Sequence, residues 1–152
     1  MNIRNAKLGD AETIAEFNSA MALETEDLAL DPNRMRAGVE AVLADDSKAF
    51  YLVAEVDGSL VGQLMVTYEW SDWRNGVFWW VQSVYVRPGH RGQGVYKSLY
   101  AETQSRATAA GNVCGIRLYV EHENERAQRI YEHLGMKNTS YHLYEVDFVI
   151  DR

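Results

Sequence analysis

Two hydrophobic periods alternate along the chain. In "AETIAEFNSAM" the apolar positions Ile14, Phe17 and Met21 recur at helical spacing, and Asp10 stands ahead of them as a cap, so a helix is predicted. "LDPNRMRAGVEAVLADD" repeats the pattern with Met35, Val39 and Val42, offering Asp31 as N-cap and Pro32 at the first helical position. Before both, "NIRNAK" alternates as a short strand. From Phe50 the period becomes that of a strand. "FYLVAEVDGSLVGQLMVTY" is two β-type runs around Asp57-Gly58, which predicts a tight hairpin. The loop "SDWRNG" leads into "VFWWVQSVYV" (Val77 to Val86), which completes an antiparallel meander of three strands.

Helical spacing returns in "VYKSLYAETQSRATAAG", where Leu99, Thr103 and Ala107 share a face and Gly111 is the stop. "GIRLYVE" predicts a strand, "NERAQRIYEHLG" a short helix ending at Gly135, and "SYHLYEVDFVI" a last strand. The order β-α-α-β-β-β-α-β-α-β specifies a single α/β domain over residues 1–152 around a mixed central sheet. Its one strand–helix–strand crossover, Val77 to Val120, is expected to be parallel and right-handed.

The totals narrow the function classes. A chain of 152 residues, 47% hydrophobic and 24% charged, is globular and long enough for a real core. No apolar run reaches the ~18 residues a membrane span needs, and "MNIRNAKLGD" lacks a signal peptide's apolar stretch. The single cysteine, Cys114, allows neither an internal disulfide nor a zinc cluster. The expectation is a cytoplasmic protein with no metal and no membrane partner. A net charge of −7 opposes a nucleic-acid partner, whose phosphates demand Lys and Arg. The charge is unevenly spread, however. Arg87, His90, Arg91 and Lys97 form a stretch without an acid, and Glu24, Glu26, Asp27 and Asp31 one without a base. One place is suited to an anion, the other to a cation.

The basic stretch contains "GHRGQGVYKS", and three phosphate-binding patterns compete for it. A P-loop fails because Val95 stands where the lysine must be. A dinucleotide fingerprint fails because Lys97 occupies the third glycine position, and no opening βα unit precedes it. What remains is Arg91-x-x-Gly94-x-Tyr96, closing a meander and opening a helix. Gly92 and Gly94 let successive backbone N–H groups converge, including those of Gln93, Val95 and Tyr96, and the helix N-terminus adds partial positive charge.

In that strand–turn–helix context the segment resembles the acyl-CoA signature [Arg/Gln]-x-x-Gly-x-[Gly/Ala] of the GCN5-related N-acetyltransferase superfamily. "VQSVYVRPGHRGQGVYKSLY" is similar to that family's cofactor strand, turn and helix, and "YVEHENERAQRIYEHLGM" to its next strand and helix. The resemblance covers nearly the whole chain. It implies acetyl-CoA as cosubstrate, with Arg91 and the turn at the pyrophosphate and the backbone of Val84, Tyr85 and Val86 along the pantetheine arm. That arm would lie where the strands Val81–Val86 and Ile116–Val120 splay apart. One N–H on this strand, that of Val84, would polarise the thioester. Asn124, Ala127 and Tyr131 fall on the family's remaining cofactor positions, Tyr131 as the general acid. The implied reaction is direct attack by an amine in a ternary complex. Tyr96 departs from the pattern, which wants a small residue, so its ring is expected to point away from the cofactor.

The incoming ammonium must also lose a proton. "VQSVYV" offers Gln82 and Ser83, which cannot act as base; Glu24, Glu26, Glu69 and Asp72 are the alternatives, with Glu69 the first choice because it ends a central strand beside "WSDW". For the acceptor, Glu24, Glu26 and Glu69 with Trp70 and Trp80 suit a cation held between carboxylates and rings. "VTYEWSDWRNGVFWWVQSVYV" resembles the aromatic, acidic stretch of diamine acetyltransferases, which implies a small amine or polyamine. Protein lysine or N-terminal acetylation, and a catalytically silent acyl-CoA-binding or regulatory module, are the alternatives. A homodimer through the aromatic last strand is a further expectation.

Overall fold

A computed structural model describes residues 1–152. The chain divides into two compact units, Met1–Leu118 and Tyr119–Arg152. The first holds a mixed five-stranded sheet in the order β1 (Asn2–Asn5), β2 (Phe50–Val56), β3 (Ser59–Ser71), β4 (Gly76–Val86), β5 (Val113–Arg117). Neighbours are antiparallel as far as β4, and β5 runs parallel to β4. The helices of this unit are α1 (Ala11–Glu26), α2 (Pro32–Ala44) and α3 (Val95–Ala110). The α/β fold and its parallel crossover are those the hydrophobic pattern specifies.

Local chemistry accounts for the elements. Asp57 (φ 50°) and Gly58 (φ 78°) both occupy the left-handed region, the type I′ geometry whose twist matches two paired strands. Asp31 caps α2 by accepting from the N–H groups of Asn33 (2.9 Å) and Arg34 (3.2 Å). Asp10 behaves differently from the expectation. It stands at the N-cap position of α1 but makes no side-chain cap, because its carboxylate is engaged by Arg4 (2.8 and 3.1 Å) and by the N–H of Lys7 (2.7 Å). The hydrogen bonds from Arg4 hold the Asp10 carboxyl below the usual range. Arg4 also bonds Glu55, so one guanidinium ties β1 to β2 and to the start of α1.

The sheet separates two apolar layers. On one face Leu52, Ala54, Val61, Leu64 and Val66 pack with Val95, Leu99 and Ala107 of α3. On the other, Tyr51, Val53, Leu60 and Tyr85 meet Ile14 and Phe17 of α1 and Val39 of α2. Ile14, Leu52, Leu64 and Leu99 are fully buried, and each contributes about 2 kcal/mol by leaving water. Gly62 lets α3 sit this close, since a Cβ there would fall 2.7 Å from the Val95 Cγ1.

In the second unit, α4 (Glu125–His133) is capped by Asn124, whose side chain accepts from the N–H of Ala127 at 3.2 Å. At its other end Gly135 takes φ 88°, and the N–H of Met136 returns to the Tyr131 carbonyl. The expected last strand does not form. Residues 141–150 enter no ladder, and Tyr144 and Phe148 are almost fully exposed. A strand has no hydrogen bonds of its own and needs a partner, so alternation of Tyr144, Val146, Phe148 and Ile150 is insufficient by itself. The segment instead ends in a local turn, where Asp147 accepts from the N–H groups of Val149 and Ile150 at 2.8 Å each.

Candidate functional site

The site is built on β4, whose two halves differ. From Val77 to Trp80 the strand is paired on both sides, with β3 and with Val113–Arg117 of β5. Beyond Trp80 the β5 ladder ends, and Val81–Val86 keeps only β3 as neighbour. The β4–β5 ladder thus ends at Trp80 and Arg117, and β5 is shorter than the span "GIRLYVE". An open edge of this kind offers unpaired N–H and C=O groups to an extended ligand.

Within the open half the register slips. Gln63 pairs with Tyr85 and Met65 with Gln82, so Ser83 and Val84 together face Leu64. Two residues against one is a β-bulge, and Ser83 has φ 51°, a conformation uncommon outside glycine. The bulge gives Val84 a backbone orientation that a regular ladder would not. Ser83, Gln63 and Asn18 are the participants the sequence reading missed. An amide inside an apolar run was the only available signal, since nothing in "VQSVYV" announces a bulge.

The strand then runs through a short 3-10 turn (Pro88–His90) into the glycine turn and α3. Gly92 (φ 74°) and Gly94 (φ 80°) are both left-handed, and an added Cβ at either would enter open space. Gly94 occupies the N-cap of α3 without a side-chain cap, and the first helical bond runs from the Ser98 N–H to the Gly94 carbonyl. The N–H groups of Val95, Tyr96 and Lys97 thus precede the intrahelical ladder, at the positive end of a 16-residue helix. The exposed, open turn and this donor set fit an anionic group. Tyr96 leaves the turn uncrowded: its ring packs against the α3 core layer and lies 6.2 Å from Tyr100, one helical turn on.

Arg91 is positioned by three groups. Its Nε donates to the Val86 carbonyl (2.8 Å), its Nη2 to Glu24 (2.8 Å), and its guanidinium lies 5.4 Å from the Tyr85 ring centroid. The Tyr85 hydroxyl donates to the other oxygen of Glu24 at 3.3 Å, and burial followed by the Glu24 charge pushes this phenol upward. The acidic and basic stretches therefore meet at one place. Arg87 is committed elsewhere, donating to the Leu60 carbonyl at 2.8 Å and lying over Phe17. A cleft of about 380 Å³ lies on the α1 side of this strand end, lined by residues including Glu16, Phe17, Tyr85, Arg87 and His90.

Glu69 and Trp70 lie apart from this group. Glu69 pairs in register with Phe78 and Trp70 with Val77, six and seven residues along β4 from Val84; at ~3.3 Å per residue this is ~20 Å. Glu69 is exposed and forms an ion pair with Arg117, whose guanidinium also covers the Phe78 ring at 3.6 Å. Trp70 is 62% exposed and Trp80 is half-buried. Glu26 ends α1, exposed, two residues beyond Glu24. In the second unit, Asn124, Ala127 and Tyr131 recur along α4 at spacings of three and four residues, one face of a helix. Burial pushes the Tyr131 phenol above its ordinary value, so it holds its proton at neutral pH.

A strand with one open, bulged edge leading into a glycine turn at a helix N-terminus has the chemistry to suit an extended, anionic ligand. The acetyltransferase (GNAT) family model matches residues 14–136. The chain is 30% identical over 149 residues to thialysine N-epsilon-acetyltransferase of Bos taurus, covering 90% of this chain and 84% of that one. It is similar to the crystal structure of a possible acetyltransferase from Clostridium difficile 630, with a TM-score of 0.90, 43% identity and 98% of each chain covered. It shares its fold with AAC(6')-Iy, solved with the bisubstrate analogue CoA-S-monomethyl-acetylneamine, at a TM-score of 0.76 and 19% identity over 96% of this chain and 97% of that one. The protein belongs to the acetyltransferase (GNAT) family.

Proposed function

We propose that the protein is a cytoplasmic, acetyl-CoA-dependent N-acetyltransferase acting on a small aliphatic primary amine, of the lysine-like or polyamine class. The observation that carries this reading is the end of β4, open on one edge from Val81 to Val86 and continuous with the glycine turn. An amide-bearing arm can add to such an edge as a strand, and a pyrophosphate suits the turn. Acetyl-CoA contains both. In this reading Gly92, Gln93, Gly94, Val95 and Tyr96 supply backbone N–H groups to the pyrophosphate with Arg91 beside them, and the backbone of Val84, Tyr85 and Val86 lines the arm. The family resemblance assigns Asn124, Ala127 and Tyr131 to the same cofactor, as proposed contacts. The family model spans residues from both compact units, which supports treating residues 1–152 as one catalytic domain.

The chemistry follows from these placements. The amine nitrogen attacks the thioester carbon, whose oxygen is polarised by the Val84 N–H. A C–N bond forms and the C–S bond breaks, and the departing sulfur takes the Tyr131 phenolic proton. The nitrogen releases its own surplus proton to water, and the phenolate is reprotonated from solvent. Glu69 is not retained as base, since it is ion-paired ~20 Å from Val84 along the strand. Glu24 holds Arg91 and is therefore not assigned to the acceptor's cation. The lysine-like class rests on the name of the bovine relative.

The test is calorimetric titration with acetyl-CoA, with ATP as control, followed by thiol release with thialysine, diamines and a lysine peptide. Micromolar binding of acetyl-CoA alone, and turnover with a small amine that falls about 100-fold in Tyr131→Phe at unchanged affinity, is expected. Binding without transfer to any amine would leave an acyl-CoA-binding module.

A homodimer belongs to the same reading. β5 is the last strand of its sheet, and Tyr141–Phe148 is an alternating segment without a ladder partner. A second copy supplies each with a match, which is the self-complementarity a two-fold interface requires. Sedimentation at micromolar concentration is expected to give a dimer that truncation after Ser140 converts to monomer.

A further inference from the structure

Gln63 is fully buried in the middle of β3, in the run "SLVGQLMVTY" where every near neighbour is apolar or small. Its Nε2 donates to the Asn18 Oδ1 at 2.8 Å and to the Ser83 carbonyl at 3.1 Å. Both partners are acceptors, so the orientation of the amide is fixed by its bonds. Asn18 of α1 is itself buried. A polar chain, Asn18–Gln63–Ser83, therefore crosses the apolar layer between α1 and the sheet and ends on the bulge.

Its far end is informative. The Ser83 carbonyl and the Val84 N–H belong to one planar trans peptide, so they point in opposite directions. Holding the carbonyl on the Gln63 amide turns the N–H away from that amide, in a stretch of β4 that has no β5 partner. Ser83 also holds a left-handed φ of 51°, which persists only where its surroundings determine it. We infer that Gln63 is a positioning residue: its buried amide locks the Ser83–Val84 peptide so that the Val84 N–H faces the acyl group. The inference rests on the acetyltransferase reading for its catalytic consequence, but the lock is a property of the free protein.

Two measurements on Gln63→Leu separate these. In the ligand-free, isotope-labelled protein, the backbone coupling constant of Ser83 and the amide shift of Val84 report the bulge. In steady-state kinetics with the best amine of the panel, kcat is expected to fall roughly 10- to 100-fold, part of the effect of losing an oxyanion donor. The acetyl-CoA Kd should stay within about threefold, because the turn is untouched. Adding Ser83→Gly, which removes the left-handed penalty, should restore part of kcat, a rescue that general loosening of the core would not give. Should Gln63→Leu fail to fold, Asn18→Ala frees the other end of the amide and is expected to lower kcat several-fold in the same sense. A Ser83 coupling and Val84 shift unchanged in the variants, or kcat within twofold of the parent, would overturn the assignment. If the parent binds no acetyl-CoA, the acetyltransferase reading falls while the coupling data still decide the lock.

Discussion

The two halves of β4 are one strand put to different uses. Val77–Trp80 has partners on both sides and is fixed by side-chain packing, with Phe78 beneath two guanidiniums and its ring edge against Gly115. Val81–Val86 has lost a partner, carries a bulge, and is fixed by hydrogen bonds from Gln63 and Arg91 to its backbone. The first half shows the usual way to hold a strand. The second has what a proposed binding edge would need: backbone groups with no strand partner on one side, and orientation supplied from behind. A change in the open half should therefore impair binding or rate at modest cost in stability, and a change in the paired half should do the reverse.

The largest effect on cofactor affinity is expected where the open half runs into the turn. Gly94→Val places a β-branched residue at φ 80°, which costs about 1–2 kcal/mol for a left-handed backbone and more for Val. The surrounding space is open, so the protein folds, but the turn relaxes away from the geometry that aims its N–H groups. Acetyl-CoA should bind about 30-fold more weakly, close to 2 kcal/mol, with the melting temperature lowered by only a few degrees. Unchanged affinity would show that the cradle does not depend on the left-handed turn.

Gly115→Ala tests the paired half. A Cβ there would stand 2.5 Å from the Phe78 Cε1, so the ring must shift under Arg74 and Arg117. Overpacking of this kind costs about 1 kcal/mol or somewhat more, a melting temperature lower by about 2–4 °C in a chain of this size. Acetyl-CoA affinity, measured by the same titration, should stay within twofold. A loss of affinity matching that of Gly94→Val would mean that the halves are not independent.

The sequence made the elements legible because they rest on local rules. The helical stripes of Ile14/Phe17 and Leu99/Thr103/Ala107, the Asp57-Gly58 turn and the Asp31-Pro32 cap all reappear in the structure. The glycine turn was legible for the same reason, since Gly92 and Gly94 state their conformation in their identity. The bulge was not, because Ser83 carries no such mark and is held left-handed by a side chain 20 residues away. The pairing of Glu24 with Arg91 was invisible too: their charges were read as two separate sites, and only the packing of α1 on β4 brings them together. The last strand fails for a related reason, since its alternation specifies a face but no partner.

Glu69 gives the smallest expected effect and the sharpest control. It was chosen as a base from its place at a strand end beside aromatic residues, and the register puts that end beside Val77 and Phe78, in the paired half. Its carboxylate is exposed and its one ion pair is with the partly exposed Arg117. Surface pairs of this sort contribute about 0–1 kcal/mol and are screened by salt. Glu69→Gln keeps the side chain's shape and removes only the charge. The melting temperature should change by no more than a degree or two, with the difference shrinking at 0.5 M salt, and kcat should stay within twofold across the pH range. A kcat lowered tenfold or more, with a lost alkaline limb in the pH profile, would place proton removal at the far end of β4. The division between its halves would then have to be redrawn.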